Sequence, residues 1–179
     1  MVATQEAHLI LPSGARINFV RTSPGTSLSD AVFEHTESPT MYYKSLLYPY
    51  GALGSGWLLK LKDGTTYVFS ENPRLLQRIV DRNGNEIRVY RTQVDYWGWD
   101  VGNVVLVTAS GGRSLQFTYD ADNRVVMAQD NMGRTVRYEY SGSVLWKVTD
   151  AEGGGDRVRL RRRRYGDHQG RPGDRVLEE

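Results

Sequence analysis

Ser114-Leu115-Gln116-Phe117-Thr118-Tyr119-Asp120-Ala121-Asp122-Asn123-Arg124-Val125-Val126-Met127-Ala128-Gln129-Asp130-Asn131-Met132-Gly133-Arg134-Thr135-Val136-Arg137-Tyr138-Glu139-Tyr140 holds the phrase that decides the fold. That phrase is a strand, a polar turn closing on Gly, and a strand ending in aromatics. Outward from it, the turns align as Asp81-Arg82-Asn83-Gly84-Asn85, Ala109-Ser110-Gly111-Gly112-Arg113, Asp130-Asn131-Met132-Gly133-Arg134 and Asp150-Ala151-Glu152-Gly153-Gly154. Gly84, Gly112, Gly133 and Gly153 are separated by 28, 21 and 20 residues. Periods of this size belong to arrays of supersecondary units, none of which buries its apolar face without a neighbour.

Each unit has a physical reading. Asp at the first turn position accepts backbone N–H groups ahead of it, and Gly at the fourth supplies a positive φ. Strands flank the turn: Ile87 and Val89, then Leu115, Phe117 and Tyr119, then Val136, Tyr138 and Tyr140 alternate at period two after it, while Ile79, Val105 and Val107, Val126 and Ala128, and Leu145 and Val148 run before it. Arg88, Gln116, Arg137 and Glu139 fall on the other face. The expected fold is all-β, an array of antiparallel β-hairpins whose sheet buries one face and shows the other to water.

Phe117-Thr118-Tyr119-Asp120, Asn123-Arg124-Val125, Asp130 and Gly133-Arg134-Thr135-Val136-Arg137-Tyr138-Glu139-Tyr140 resemble the Tyr-Asp (YD) repeat of Rhs proteins, over roughly Leu76 to Gly154. Ile10 to Phe19, Ser23-Pro24-Gly25-Thr26, and Gly56-Trp57 through Phe69 resemble the segment that opens the Rhs repeat region. Ala109 departs from the turn Asp, Ser141 from the Tyr-Asp pair and Arg91 from the terminal aromatic, so weaker turns or edges are expected there. The resemblance implies an open piece of a spirally wound shell that encloses a C-terminal toxin. It also implies secretion through a delivery apparatus, action outside the cell against competitors, and as partners the rest of the shell and that toxin. Self-cleavage and toxicity reside in C-terminal parts of that family, and neither a cleavage motif nor a toxin domain is read here.

The chain of 179 residues has eleven Tyr, four Trp, four Phe, nineteen Gly and no Cys. That composition favours strands and tight turns and excludes disulfides, thiol chemistry and thiolate metal sites. No apolar run reaches the ~20 residues of a membrane span. The net charge of +2 hides a division: residues 155–179 hold eight Arg and five acidic residues, while the preceding 154 hold 15 basic and 16 acidic, a balance of −1.

Three segments follow: 1–75, the repeat-opening β region; 76–154, the repeats; and 155–179, where the turn grammar stops in mid-repeat. One nucleotide gained in the codons for Gly153 to Gly155 would let the downstream codons, read one base later, resume Tyr-x-Tyr-Asp and Asp-x-x-Gly. Residues 155–179 are therefore expected to be an out-of-frame, disordered tail, so the run Arg161 to Arg164 is not taken as a nucleic-acid site. Upstream, His8–Leu11 and Arg16–Val20 read as a hairpin, Leu28–His35 as a strand or a helical turn, and Met41–Tyr50 as a strand packing under the sheet. Trp57, Leu59 and Leu61 face Tyr67 and Phe69 across Asp63-Gly64, taken as a two-residue turn.

The chemistry-bearing residues are few. Tyr96, Trp97 and Trp99 suit stacking on a sugar ring, with a plug in an irregular repeat as the plainer reading. Asp120-Ala121-Asp122-Asn123 alternates carboxylates as a calcium loop does, but lacks the Gly and bidentate Glu that complete one, and reads as a solvated turn. Asp81, Asp130 and Asp150 occupy equivalent turn positions, which argues structure over acid–base work. His8, His35 and His168 have no motif spacing. No metal, cofactor or catalytic set is expected, and the chain reads as a non-enzymatic wall element. A carbohydrate or cell-surface binding module using Trp97 and Trp99, a basic-tail nucleic-acid binder, and a non-functional gene remnant are the alternatives.

Overall fold

A computed structural model of the chain describes residues 4–37, 40–50, 56–71, 74–92 and 102–157. Fourteen strands form one sheet: β1 (Glu6–Ile10), β2 (Arg16–Arg21), β3 (Phe33–Glu34), β4 (Leu46–Tyr50), β5 (Gly56–Lys60), β6 (Thr66–Ser70), β7 (Leu76–Val80), β8 (Glu86–Arg91), β9 (Val104–Ala109), β10 (Arg113–Tyr119), β11 (Val125–Asp130), β12 (Thr135–Ser141), β13 (Val144–Thr149) and β14 (Gly155–Arg157). Their spatial order is their chain order, and every neighbouring pair is antiparallel. The chain is thus an open, all-β hairpin array. The sheet runs without a break across residues 75 and 76, since Thr66 pairs with Val80.

Register lines one row across nine strands, apolar between an arginine at each end: Arg21, Phe33, Leu47, Leu59, Tyr67, Ile79, Ile87, Ala109 and Arg113. The row marks what is here termed the inner face. It is dry at one end only. Phe33 is 0% and Leu59 1% exposed, yet Ile87 is 41% exposed. Phe19, Ala31, Phe33, Leu47, Leu59 and Leu61 form the core, and Trp57, Tyr67 and Phe69 pack against it. The N-terminal end is covered because its connections fold over it: Ala31 comes from the β2–β3 loop and Tyr42 from the β3–β4 loop. Arg21 holds the first of these loops, donating to the carbonyls of Ser23, Pro24 and Ser27 at 3.2, 3.2 and 2.8 Å. After Val68, Gly102 is the sole buried residue among those described.

This corrects the expectation that the repeats bury one face. In β7–β13 the inner-face residues are half-buried or exposed, because the tight turns of the repeats supply no chain to lie over them among the described residues. The register also places three other segments. Leu28–His35 is a loop ending in the two-residue strand β3, and Leu46–Tyr50 lies within the sheet, between β3 and β5. At the far end, Gly155–Arg157 pairs with β13 through Thr149↔Gly155, Val148↔Asp156 and Lys147↔Arg157. Residue 155 is the first residue of this strand; residues 158–179 lie outside the described residues.

Candidate functional site: a repeated turn, bulge and tyrosine clasp

The Asp-x-x-Gly turns share one geometry. The N–H of Gly84 donates to the Asp81 carbonyl at 3.1 Å while Asp81 N–H donates to Asn85 O at 2.9 Å. The same two bonds close Asp130–Arg134 at 3.1 and 3.0 Å and Asp150–Gly154 at 3.2 and 2.8 Å. This is a type I turn followed by a left-handed residue, the three-residue hairpin loop. Gly84, Gly133 and Gly153 fill the left-handed position at φ 84°, 82° and 86°. A side chain there costs about 1–2 kcal/mol.

The aspartates are consumed inside these loops. Asp81 Oδ1 accepts the N–H of Asn83 and Asn85 at 2.8 and 2.9 Å, and Asp150 Oδ1 those of Glu152 and Gly154 at 3.0 and 2.8 Å. Asp130 Oδ1 accepts Met132 and Arg134 N–H at 2.9 and 3.0 Å, and Arg134 Nε meets its Oδ2 at 2.7 Å. Asp81 is held below the ordinary carboxylate value, first by the Asn85 amide and then by backbone N–H groups. For Asp130 burial opposes ionisation, but the Arg134 side chain and the loop N–H groups together outweigh it, and the value is lowered. These carboxylates act as turn acceptors.

Two loops differ from the sequence reading. Asp63-Gly64 is not a two-residue turn: Leu61 N–H donates to Thr65 O at 2.8 Å and Gly64 N–H to Leu61 O at 3.1 Å, the same three-residue loop as the repeats. Asp63 stands at its third position and accepts Thr65 N–H at 2.8 Å. Asp120–Arg124 is also this loop, with Asn123 at φ 59° in place of Gly. Its Asp120 accepts Asp122 and Arg124 N–H and pairs with the Arg124 side chain at 2.7 Å, so the calcium-like alternation is spent on turn and ion pair. Where Ala109 replaces Asp, Gly111 and Gly112 both take positive φ, and Ser110 binds sideways to β8: its Oγ accepts Glu86 N–H at 2.8 Å and its N–H meets Glu86 O at 2.9 Å.

A second periodic feature escaped the sequence reading. Register shifts leave one extra residue on β7, β9, β11 and β13: Gln77, Val105, Val126 and Trp146, each seven residues before a turn glycine. Such bulges bend a strand and increase its twist. They also explain why Leu145 and Val148, three residues apart, both oppose inner-face tyrosines, Tyr140 and Tyr138. That odd spacing was the signal in the sequence.

Beside the bulges the ladder stops, and tyrosine hydroxyls continue it. The β9–β10 register reaches Leu106↔Gln116, and beyond it Tyr119 Oη donates to Val104 O at 2.7 Å. The β11–β12 register reaches Met127↔Arg137, and beyond it Tyr140 Oη donates to Val125 O at 2.9 Å. The Arg124 guanidinium stacks over the Tyr140 ring at 4.6 Å and donates to Gly142 O, joining adjacent hairpins. Phe117 and Tyr138 share the half-buried inner face without such a bond.

Trp97 and Trp99 lie outside the described residues. Among the described residues no group of three or more metal-binding side chains occurs, and no helix is long and apolar enough to cross a membrane. No protein-family model matches the chain, and neither does any curated protein.

Proposed function

We propose that this chain is a non-catalytic wall segment of an Rhs-type shell, which in the complete protein encloses a C-terminal toxin and releases it on delivery. The mode of action is physical: a curved sheet keeps its cargo from solvent and from its targets. One observation carries the reading: the inner-face row continues in register across nine strands, while among the described residues only its first end has a cover. A sheet of this kind needs further layers or an occupant to dry the remainder. On this reading the bulges supply curvature, the tyrosine clasps close the open end of each hairpin, and Arg124 ties one hairpin to the next. The partners are the rest of the wall, the toxin and a secretion apparatus.

The test uses the gene together with its downstream DNA, translated in the frame that resumes the repeat. The encoded toxin segment is expected to resist a broad-specificity protease while the wall is folded and to be cut rapidly once mild denaturant opens it. Equal cutting under both conditions would refute enclosure.

A further inference from the structure

A trough of about 680 Å³ opens on the inner face, floored by Ile87, Val107, Ala109 and Leu115 and flanked by Met132. Leu115 is 45% and Met132 75% exposed. Register places Ile87, Ala109 and Arg113 in one row and Val107, Leu115 and Asp130 in the next, so an apolar floor carries charge at its turn-side rim. Asp130 is already neutralised by Arg134 at 2.6 Å. Arg113 is exposed and belongs to no ion pair among the described residues.

We propose that this trough receives an extended apolar segment of the enclosed cargo that carries a carboxylate. The cargo's apolar side chains lie over Ile87, Leu115 and Met132, and its carboxylate meets Arg113. Charge complementarity selects this occupant. An exposed guanidinium at the rim of an apolar floor, with no ion pair among the described residues, offers a fork that matches a carboxylate and repels a cationic segment. An extended segment alternates its side chains at period two, so one strand can set apolar groups on the floor and an acid at the rim. The inference rests on the enclosure reading for the identity of the occupant.

The experiment measures anisotropy of fluorescein-labelled peptides of about ten residues, the length of a long strand, added to the complete chain. Three peptides alternate Leu with Asp, Leu with Lys, and Ser with Asp. The Leu–Asp peptide should bind about tenfold or more tightly than either other peptide, the size of effect a matched charge over an apolar contact can give. Arg113→Glu should invert the preference toward Leu–Lys, while Arg137→Glu, on the opposite face, should leave the order unchanged. Equal affinities, an equal response to both variants, or displacement of the peptide by sodium laurate at lower concentration than unlabelled peptide would overturn the proposal. Failure of peptide binding with the toxin segment still protected from protease sinks the trough alone. Peptide binding without protection removes enclosure, and with it the cargo as occupant.

Discussion

Leu59 and Ile87 stand in the same cross-strand row, three strands apart, and truncating each should have unequal consequences. Leu59 is 1% exposed among Leu47, Phe33 and Tyr67, so Leu59→Ala loses transfer energy and leaves a cavity, together about 3 kcal/mol within the range for buried leucines. Ile87 is 41% exposed. Full burial of such a side chain is worth about 2 kcal/mol, so Ile87→Ala should cost about 1 kcal/mol, with no cavity term because water reaches the site. The difference of about 2 kcal/mol is a large share of a domain's stability. Urea unfolding followed by far-UV circular dichroism and by tryptophan fluorescence gives both values, with the slopes compared to verify that the unfolded states match. Equal costs within about 0.5 kcal/mol would refute the reasoning, because they would mean that the inner face is evenly covered along the array.

Tyr140→Phe removes the donor to Val125 O and should cost about 1 kcal/mol in urea melts, whereas Tyr138→Phe, whose hydroxyl has no bond among the described residues, should be neutral; the reverse order would remove the clasp. Gly133→Ala forces a side chain to φ 82° and should destabilise by about 1–2 kcal/mol, although nothing lies within 4 Å of the new methyl group; an unchanged unfolding midpoint would show that the loop is not held. Asp63, Asp81, Asp120 and Asp130 all have lowered folded values, so near pH 4 the unfolded chain binds more protons. Their stabilisation is therefore complete above the ordinary carboxylate value of 3.8 and is lost as pH falls through the lowered folded values. A urea midpoint that stays flat from pH 5 to 2 would contradict this, and Asp81→Asn with Asp130→Asn should flatten an observed decline.

The sequence by itself determined the repeat strands, their antiparallel hairpin pairing and the turns at Asp81, Asp130 and Asp150, but not the places of β3, β4 and β14 in the sheet. What it determined depends on local chemistry: period-two alternation, a carboxylate within reach of its own loop, and a glycine where φ is positive. Local chemistry also limits such reading. Asp63-Gly64 fits two turn types, and the choice falls to how Leu61 and Thr65 pair. The bulges at Gln77, Val105, Val126 and Trp146 depend on the neighbouring strand's register, with the Leu145–Val148 spacing as the faint trace. Only the tertiary structure decided that Leu59 is buried and Ile87 half in water. Both sit on equivalent apolar positions of the same face, and burial is set by what lies over that face: the β2–β3 and β3–β4 connections reach the one, and no such chain reaches the other among the described residues.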